Sequence, residues 1–99
     1  MTGAATEANV AVRVRISGRV QGVWFRGWTV ETASAWGVRG WVRNRRDGSV
    51  EALFIGPKSA VESMIAACHE GPLHARVEQV ERLAAEDDGS AGFRQLPTA

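Results

Sequence analysis

The stretch that decides the fold is Gly18–Arg26, with the sequence GRVQGVWFR. It follows a run that alternates apolar and polar residues, and it precedes a stretch whose apolar residues recur every three or four positions. The first pattern predicts a half-buried strand over Val10–Ser17, and the second predicts a helix over about Trp24–Trp36. A strand-to-helix loop with two glycines and a terminal arginine is typical of a backbone cradle for an anion, because successive N–H groups and a helix N-terminus point at one place.

The remaining sequence supplies the other elements of a small layered domain. Its predicted elements are strands at Val38–Arg43 and Ser49–Ile55, a helix that begins near Lys58 or Ser59 and stops before Gly71-Pro72, a strand at Val77–Leu83 and a short strand at Gly92–Leu96. Asp47-Gly48 is a hairpin signal between the first two of these strands. Two helices cannot cover both faces of a small, mostly antiparallel sheet, so we expect both on one face. The predicted fold class is α+β, a ferredoxin-like sandwich with the order β-α-β-β-α-β.

This topology brings two distant parts of the sequence together. The first and second strands run parallel, joined by a right-handed crossover, and the third strand lies between them. Because their C-terminal ends share one edge of the sheet, we expect Asn44 to lie beside the Gly18–Arg26 loop. Arg26 offers a fork of donors suited to phosphate oxygens, and the Asn44 amide both donates and accepts hydrogen bonds. No nucleophile with an adjacent base is visible there, so the pattern favours chemistry that needs positioning and charge stabilisation, such as phosphoryl transfer.

Composition sets the outer bounds of the interpretation. The chain has 99 residues, 44% hydrophobic content and a formal net charge of +1, which predicts a globular protein with no general attraction to nucleic acid or membrane. Cys68 is the only cysteine, which excludes an internal disulfide. The start lacks the basic and apolar regions of a secretory signal. We therefore expect a flexible tail at residues 1–9, a single domain at 10–99 and a cytoplasmic monomer.

Two parts of the sequence resemble the signatures of the acylphosphatase family. The stretch Gly18–Arg26 is similar to the first signature. GWVRN at Gly40–Asn44, followed by Gly48-Ser49-Val50 and by Gly56, is similar to the second in residues and spacing. The resemblance covers roughly residues 10–96, and two long motifs in the right order make it specific.

The resemblance implies hydrolysis of small acyl phosphates to a carboxylate and inorganic phosphate, with no metal and no other cofactor. It implies that Arg26 binds the phosphoryl group together with the loop backbone amides, and that Asn44 positions the attacking water. The loop residues concerned are Arg19, Val20, Gln21, Gly22, Val23, Trp24 and Phe25. If the substrate phosphate accepts the proton from that water, no general base is needed. Inorganic phosphate is then expected as product and inhibitor.

Two other functions stay open at this point. A binding module on the same fold would use its loop or sheet face to hold an anion, RNA or a partner protein, since a fold does not decide function. The middle strands lack the paired aromatics of the common RNA binders. The other alternative is a carbamoyl-phosphate-handling domain, which occurs elsewhere in the superfamily within much longer chains.

Single residues also have simpler interpretations. The simpler alternative for Arg26 is an ordinary surface arginine, and that for Asn44 is a turn residue that bonds its own backbone; the two signatures favour the functional interpretation of both. The basic cluster around the hairpin is interpreted as a solvated tip rather than an attractor for anionic substrates. That cluster comprises Arg43, Arg45 and Arg46. For Trp24 the sequence leaves two interpretations open, a packing residue or a residue that borders the acyl side of a substrate.

Overall fold

The computed structural model describes residues 7–99, which form one five-stranded sheet and two helices. The elements are β1 (Asn9–Arg19), α1 (Phe25–Ala35), β2 (Arg39–Asn44), β3 (Val50–Pro57), α2 (Lys58–Cys68), β4 (Arg76–Ala84) and β5 (Phe93–Gln95). The strand order is β4-β1-β3-β2-β5, and only the β2–β5 pair is parallel. This confirms the predicted ferredoxin-like α+β class. Strands β1 and β2 are not neighbours, but they run in the same direction on either side of β3, which is antiparallel to both.

The central strand separates a core face from an open face. Val14 pairs with Ala52, and both are fully buried in the core beneath the helices. The alternate residue Glu51 points to the other face, where it is paired across the sheet with Arg15 and Arg43. Both faces of the strand predicted at Ser49–Ile55 are partly apolar, which predicts a central position in the sheet. The structure confirms this, because every residue from Val50 to Gly56 is buried.

A β-bulge sets the direction in which the chain leaves β1. The register between β1 and β4 shifts between Ser17 and Gly18. Gly18 has a φ of 118°, and a Cβ atom there would lie 2.2 Å from the main-chain oxygen of Arg76. Only glycine therefore lets β4 approach this closely, and the bulge bends the end of β1 toward the loop that leads into α1.

The predicted helix faces are largely confirmed, with one error. The apolar residues of the second helix predict an inward stripe of Val61, Met64, Ile65 and Cys68, and these four are the buried residues of α2. Burial raises the pKa of the Cys68 thiol to about 12, so it stays protonated at neutral pH. The helical spacing of Phe25, Thr29, Ala33 and Trp36 predicts one inward face for the first helix. The first three are buried, but Trp36 is 44% exposed, because α1 stops at Ala35 and Trp36 is its C-terminal cap. Among the described residues, no helix is long and apolar enough to cross a membrane.

Both ends of the described chain are attached to the domain. Residues 1–6 of the predicted tail lie outside the described residues, whereas the Glu7 carboxylate accepts hydrogen bonds from the main-chain N–H and the hydroxyl of Ser59. At the other end, Phe93 stacks on Phe54 with 5.7 Å between ring centroids. The main-chain N–H of Ala99 then donates to the carbonyl of the last β2 residue, 3.0 Å away. The C-terminal segment therefore runs beside β2 toward the candidate site.

Candidate active site

A cavity of about 100 Å³ lies where the C-terminal ends of β1 and β2 meet the start of α1. Its lining residues are Val20, Gln21, Gly22, Trp24, Phe25, Arg26, Gly27, Asn44 and Gln95. Arg26 and Asn44, which are 18 residues apart in the sequence, thus line one cavity, as the topology predicted. A cavity of this size has room for a small group such as a phosphoryl group.

The loop that forms one wall of this cavity has the backbone geometry of an anion cradle. Gly22 and Trp24 have positive φ angles of 75° and 67°, with a residue of negative φ between them. Such alternation turns successive N–H groups toward one concave surface. Among residues 7–99, no main-chain carbonyl accepts a hydrogen bond from the N–H groups of residues 21–24. These donors are thus available to a ligand.

Helix α1 adds its N-terminus to the same wall. The helix begins at Phe25, and its first N–H groups have no partner within the helix, as at any helix start. No side chain caps them, and the first turn contains no acidic residue. The partial positive charge of the helix start is consequently directed at the cavity.

Arg26 supplies a full charge at this place. It is the second residue of α1 and is partly exposed. Within the described part of the chain, Arg26 forms no ion pair, in contrast to arginines of the open sheet face. Its guanidinium is therefore not neutralised by a carboxylate of the protein and keeps its capacity to bind an anion.

Asn44 contributes an acceptor that the protein leaves without a donor. Its side-chain Oδ1 is buried and has no hydrogen-bond partner among the described residues. Leaving a buried acceptor unpaired costs about 1–3 kcal/mol, so such atoms usually have a reason to be there. Asn44 is the last residue of β2 rather than a residue of the turn, so the turn interpretation does not account for it. A donor group in the cavity, such as a water O–H, would satisfy Oδ1.

Gln21 connects the loop to the hairpin, a contact that the sequence did not reveal. Its Nε2 donates to the carbonyl oxygens of Arg45 and Ser49, at 2.8 Å each. Arg45 and Ser49 flank the β2–β3 turn, and Arg45 directly follows Asn44 in the chain. The Gln21 amide thereby fixes the distance between the N–H groups of the loop and the Asn44 side chain. No local pattern signals such a contact, because it spans more than 20 residues.

The predicted loop residues divide between two places. Five of them line the cavity with Arg26, namely Val20, Gln21, Gly22, Trp24 and Phe25. Arg19 and Val23 instead line a neighbouring groove. Val20 and Phe25 are each 1% exposed, so their side chains pack in the core. Gly27 and Gln95 also line the cavity but were not predicted, since one lies inside a helix and the other on a three-residue edge strand.

Two of the three arginines of the basic cluster bind a carboxylate, whereas Arg46 is exposed and forms no ion pair among the described residues. Arg43 and Arg45 bind the Glu51 carboxylate at 2.7 Å and 3.3 Å, so they are not simply a solvated tip. Burial alone would raise the pKa of Glu51, but hydrogen bonds from Arg13 and Arg43 outweigh it, and the pKa is lowered. In the turn itself, hydrogen bonds from the hydroxyl and N–H of Ser49 lower the pKa of Asp47 to about 2. These groups stabilise the β2–β3 hairpin from the open face of the sheet.

The fold and the cavity define a class of small α+β proteins in which a strand-to-helix loop and one arginine frame a site at the edge of a ferredoxin-like sheet. The acylphosphatase family model matches residues 12–95 of the chain. A relative from Rhodospirillum rubrum named acylphosphatase is 58% identical over 85 residues, which cover 86% of this chain and 93% of the relative. The chain belongs to the acylphosphatase family and is an enzyme of that family.

Solved structures agree with this assignment. The crystal structure of acylphosphatase from Bacillus subtilis has a TM-score of 0.84 and 33% identity, covering 88% of this chain and 98% of that one. The structure of full-length HypF in its phosphate- and nucleotide-bound form also has a TM-score of 0.84, at 22% identity, and the match covers 92% of this chain but only 12% of that one. This second likeness shows the fold alone.

Proposed function

We propose that this enzyme hydrolyses acyl phosphates to a carboxylate and inorganic phosphate by direct attack of a water molecule on phosphorus. Membership of the acylphosphatase family supports the reaction class. The observation that carries the mechanism is the buried Asn44 Oδ1 without a partner, on a cavity that also contains Arg26.

In this mechanism the phosphoryl group is held by the loop and by Arg26. The N–H groups of residues 21–24 and of the first turn of α1 donate to its oxygens, and the Arg26 guanidinium compensates its charge. Phosphoryl transfer spreads negative charge over three equatorial oxygens, so preorganised donors stabilise the transition state more than the ground state. The cradle is built from packed residues such as Val20 and Phe25 and does not have to reorganise during the reaction.

Asn44 aims the attacking water in this proposal. Its Oδ1 accepts one O–H of the water and turns the oxygen lone pair toward phosphorus, in line with the bond to the acyl oxygen. Holding the reactants in line removes much of the entropic barrier, and a misplacement of about 1 Å can reduce the rate about 10²-fold.

The proton of the water goes to the substrate. Among the described residues, the cavity is lined by no histidine and no carboxylate, so no side chain there is a base at neutral pH. As the water oxygen bonds to phosphorus, its proton passes to a phosphoryl oxygen, the P–O bond to the acyl group breaks, and its electron pair leaves with the carboxylate. A carboxylate is a stable leaving group at neutral pH and needs no protonation.

The mechanism is tested with benzoyl phosphate in ¹⁸O-labelled water with EDTA present. Attack on phosphorus puts the label into inorganic phosphate, and attack on the carbonyl carbon puts it into benzoate, so mass spectrometry of the two products separates the routes. We expect label in phosphate only. Absence of turnover by the wild-type protein would contradict the reaction itself.

The role of Asn44 is tested separately by Asn44→Ala. Because Oδ1 makes no hydrogen bond within residues 7–99, the change breaks no such bond, and folding should be preserved. We expect kcat to fall about 10²-fold while the inhibition constant of inorganic phosphate stays nearly unchanged. Asn44→Asp is the matched comparison: it keeps the acceptor but adds a charge that repels phosphate, so inhibition by phosphate should weaken. Weaker phosphate binding in Asn44→Ala with unchanged kcat would make Asn44 a binding residue instead.

A further inference from the structure

A groove of about 710 Å³ opens directly beside the phosphate cavity and is not explained by the proposed chemistry. It shares Gly22 and Trp24 with the cavity. Its other lining residues are Arg19, Val23, Leu73, His74, Ala75 and Arg76. A phosphoryl group seated in the small cavity would direct the rest of its molecule past Trp24 into this groove.

The apolar part of the groove is unusual for this surface. Among the described residues, the large hydrophobic side chains that are exposed are Trp24 (59%), Leu73 (91%) and Trp36. Trp24 and Leu73 both line the groove, whereas Trp36 lies elsewhere. Exposed apolar side chains that gather in one concave place indicate a binding surface.

Trp24 is held at the mouth of the groove under backbone strain. Its φ of 67° and ψ of 25° are left-handed, which is disfavoured for a bulky residue and usually reserved for glycine. The Trp24 indole lies against Gly27: a Cβ atom at Gly27 would come within 2.0 Å of the indole Nε1. A glycine at position 24 would adopt this backbone conformation without strain. The protein has a tryptophan there despite the strain, which indicates that the indole itself has a function.

The charged part of the groove is a pair of arginines that face each other without a carboxylate. Arg19 and Arg76 are cross-strand partners at the end of the β1–β4 ladder. Within the described residues, neither forms an ion pair, and no acidic residue lines the groove. Like charges directly opposite each other destabilise a sheet, and an anion placed between them removes that repulsion.

We infer that this groove binds the acyl half of the substrate, and that it favours acyl groups with an apolar or aromatic body and a second anionic group at the far end. Trp24 stacks on the body of the acyl group, and Arg19 and Arg76 bind its distal carboxylate or phosphate. The inference rests on the proposed function, because the phosphoryl end is fixed by the neighbouring cavity.

The test compares four benzoyl phosphates that differ at the para position. They are benzoyl phosphate itself, the 4-methyl compound, whose substituent is neutral, and the 4-carboxy and 4-phosphono compounds, whose substituents are anionic. The last two are called the anionic compounds below. Acetyl phosphate serves as a small reference that fills the cavity but not the groove. We expect kcat/KM to be about threefold or more higher for the anionic compounds than for the 4-methyl compound, and the advantage to shrink in 0.5 M KCl. The two anionic compounds distinguish a preference for carboxylate from one for phosphate.

Variants assign the effect to the groove. Arg19→Gln/Arg76→Gln should abolish the anionic advantage, and the matched charge change Arg94→Gln, at the exposed edge strand on the opposite side of the sheet, should keep it. Trp24→Gly should raise KM about fivefold more for the four benzoyl phosphates than for acetyl phosphate, which does not reach the groove. The left-handed backbone at position 24 suits glycine, so this variant is expected to fold.

The outcomes separate this inference from the proposed function. Equal kcat/KM for the 4-methyl and anionic compounds, or an equal loss in Arg94→Gln, overturns the groove assignment while hydrolysis itself stands. Wild-type rates on all benzoyl phosphates in Trp24→Gly overturn it as well and leave the groove to a macromolecular partner. Failure of the wild-type protein to hydrolyse acetyl phosphate overturns the proposed function instead.

Discussion

Two groups of arginines in this protein have opposite surroundings. On the open sheet face, Arg13, Arg43 and Arg45 all bind Glu51, and Arg15 binds Asp47. Around the Gly18–Arg26 loop, the three arginines that line the cavity or the groove have no carboxylate partner within residues 7–99. These are Arg19, Arg26 and Arg76.

The difference shows which charges are structural and which are available to a ligand. A guanidinium that is hydrogen-bonded to a carboxylate contributes to the sheet and presents little net charge to an anion. A guanidinium without such a partner keeps its full positive charge and repels other cationic groups nearby. An anionic ligand neutralises that charge and removes the repulsion. The sequence contains both groups and does not mark them apart.

The largest expected difference between the two groups is in catalysis. Arg26→Gln should lower kcat/KM for benzoyl phosphate about 10³-fold, because it removes the charged donor of the transition state. Arg15→Gln removes the same charge from the open face and should leave kcat/KM within about twofold, because Arg15 does not line the cavity. Circular dichroism checks that both variants fold. Similar losses of kcat/KM in the two variants would contradict the division of the arginines into a structural group and a ligand-binding group.

The next largest effect is on stability and belongs to the open face. Glu51→Gln leaves three guanidinium groups without their shared carboxylate, whose side chain is only 7% exposed. Since the arginines are partly solvated, we expect a decrease in the free energy of unfolding of about 1–3 kcal/mol, measured by urea denaturation. Turnover per folded molecule should be nearly unchanged. A fall in kcat as large as that of Asn44→Ala would mean that the open face takes part in the reaction.

Part of the pH dependence of stability should come from the hairpin. The folded pKa of Asp47 is lowered to about 2 from an ordinary value of 3.8, and that of Glu51 is lowered from 4.5. A depressed carboxyl pKa contributes stability that is complete above the ordinary pKa and is lost as the pH falls through the folded pKa. Urea midpoints should therefore drop between about pH 4.5 and pH 2. Asp47→Asn should flatten the part below pH 3.8, and an unchanged slope in that variant would refute the assignment.

The smallest expected effect is a gain in stability at the groove. Arg76→Gln removes one of two like charges that face each other across β1 and β4, which should raise the free energy of unfolding by a few tenths of a kcal/mol up to about 1 kcal/mol. The gain should diminish in high salt, because screening weakens the repulsion in the wild-type protein. Urea denaturation at low and high salt measures both. A loss of stability that salt does not change would mean that Arg76 has a packing role.

Much of the fold could be predicted from local pattern. Alternation over Val10–Ser17 and the helical stripe of α2 reflect which face of each element is buried, and this periodicity can be counted in the sequence. The central position of β3 could also be predicted, since the apolar residues of that strand occupy both of its faces. Trp36 was misplaced because its apolar character fits the helical spacing while the helix ends one residue before it.

Part of the candidate site could be predicted for a similar reason. A topology with β1 and β2 parallel obliges the Gly18–Arg26 loop and Asn44 to meet at one edge, whatever the side chains between them. The contact of Gln21 with the hairpin could not be predicted, nor could the contribution of Gln95 from a three-residue strand. Both depend on register between segments that are far apart in the sequence, and a register is fixed by the whole set of packed strands.

The sequence by itself determined the order of the elements, the two family signatures and the presence of Arg26 and Asn44 within them, because these follow from residue type and spacing along the chain. Only the tertiary structure decided that Asn44 Oδ1 is buried without a donor and that the Trp24 indole lies on Gly27. It also decided the partners of the arginines: Arg19 and Arg76 face each other, whereas three others share Glu51, namely Arg13, Arg43 and Arg45. The reason is physical: whether a charge or a polar atom finds a partner depends on which strands pair and in what register, and this is a property of the folded sheet rather than of any one segment.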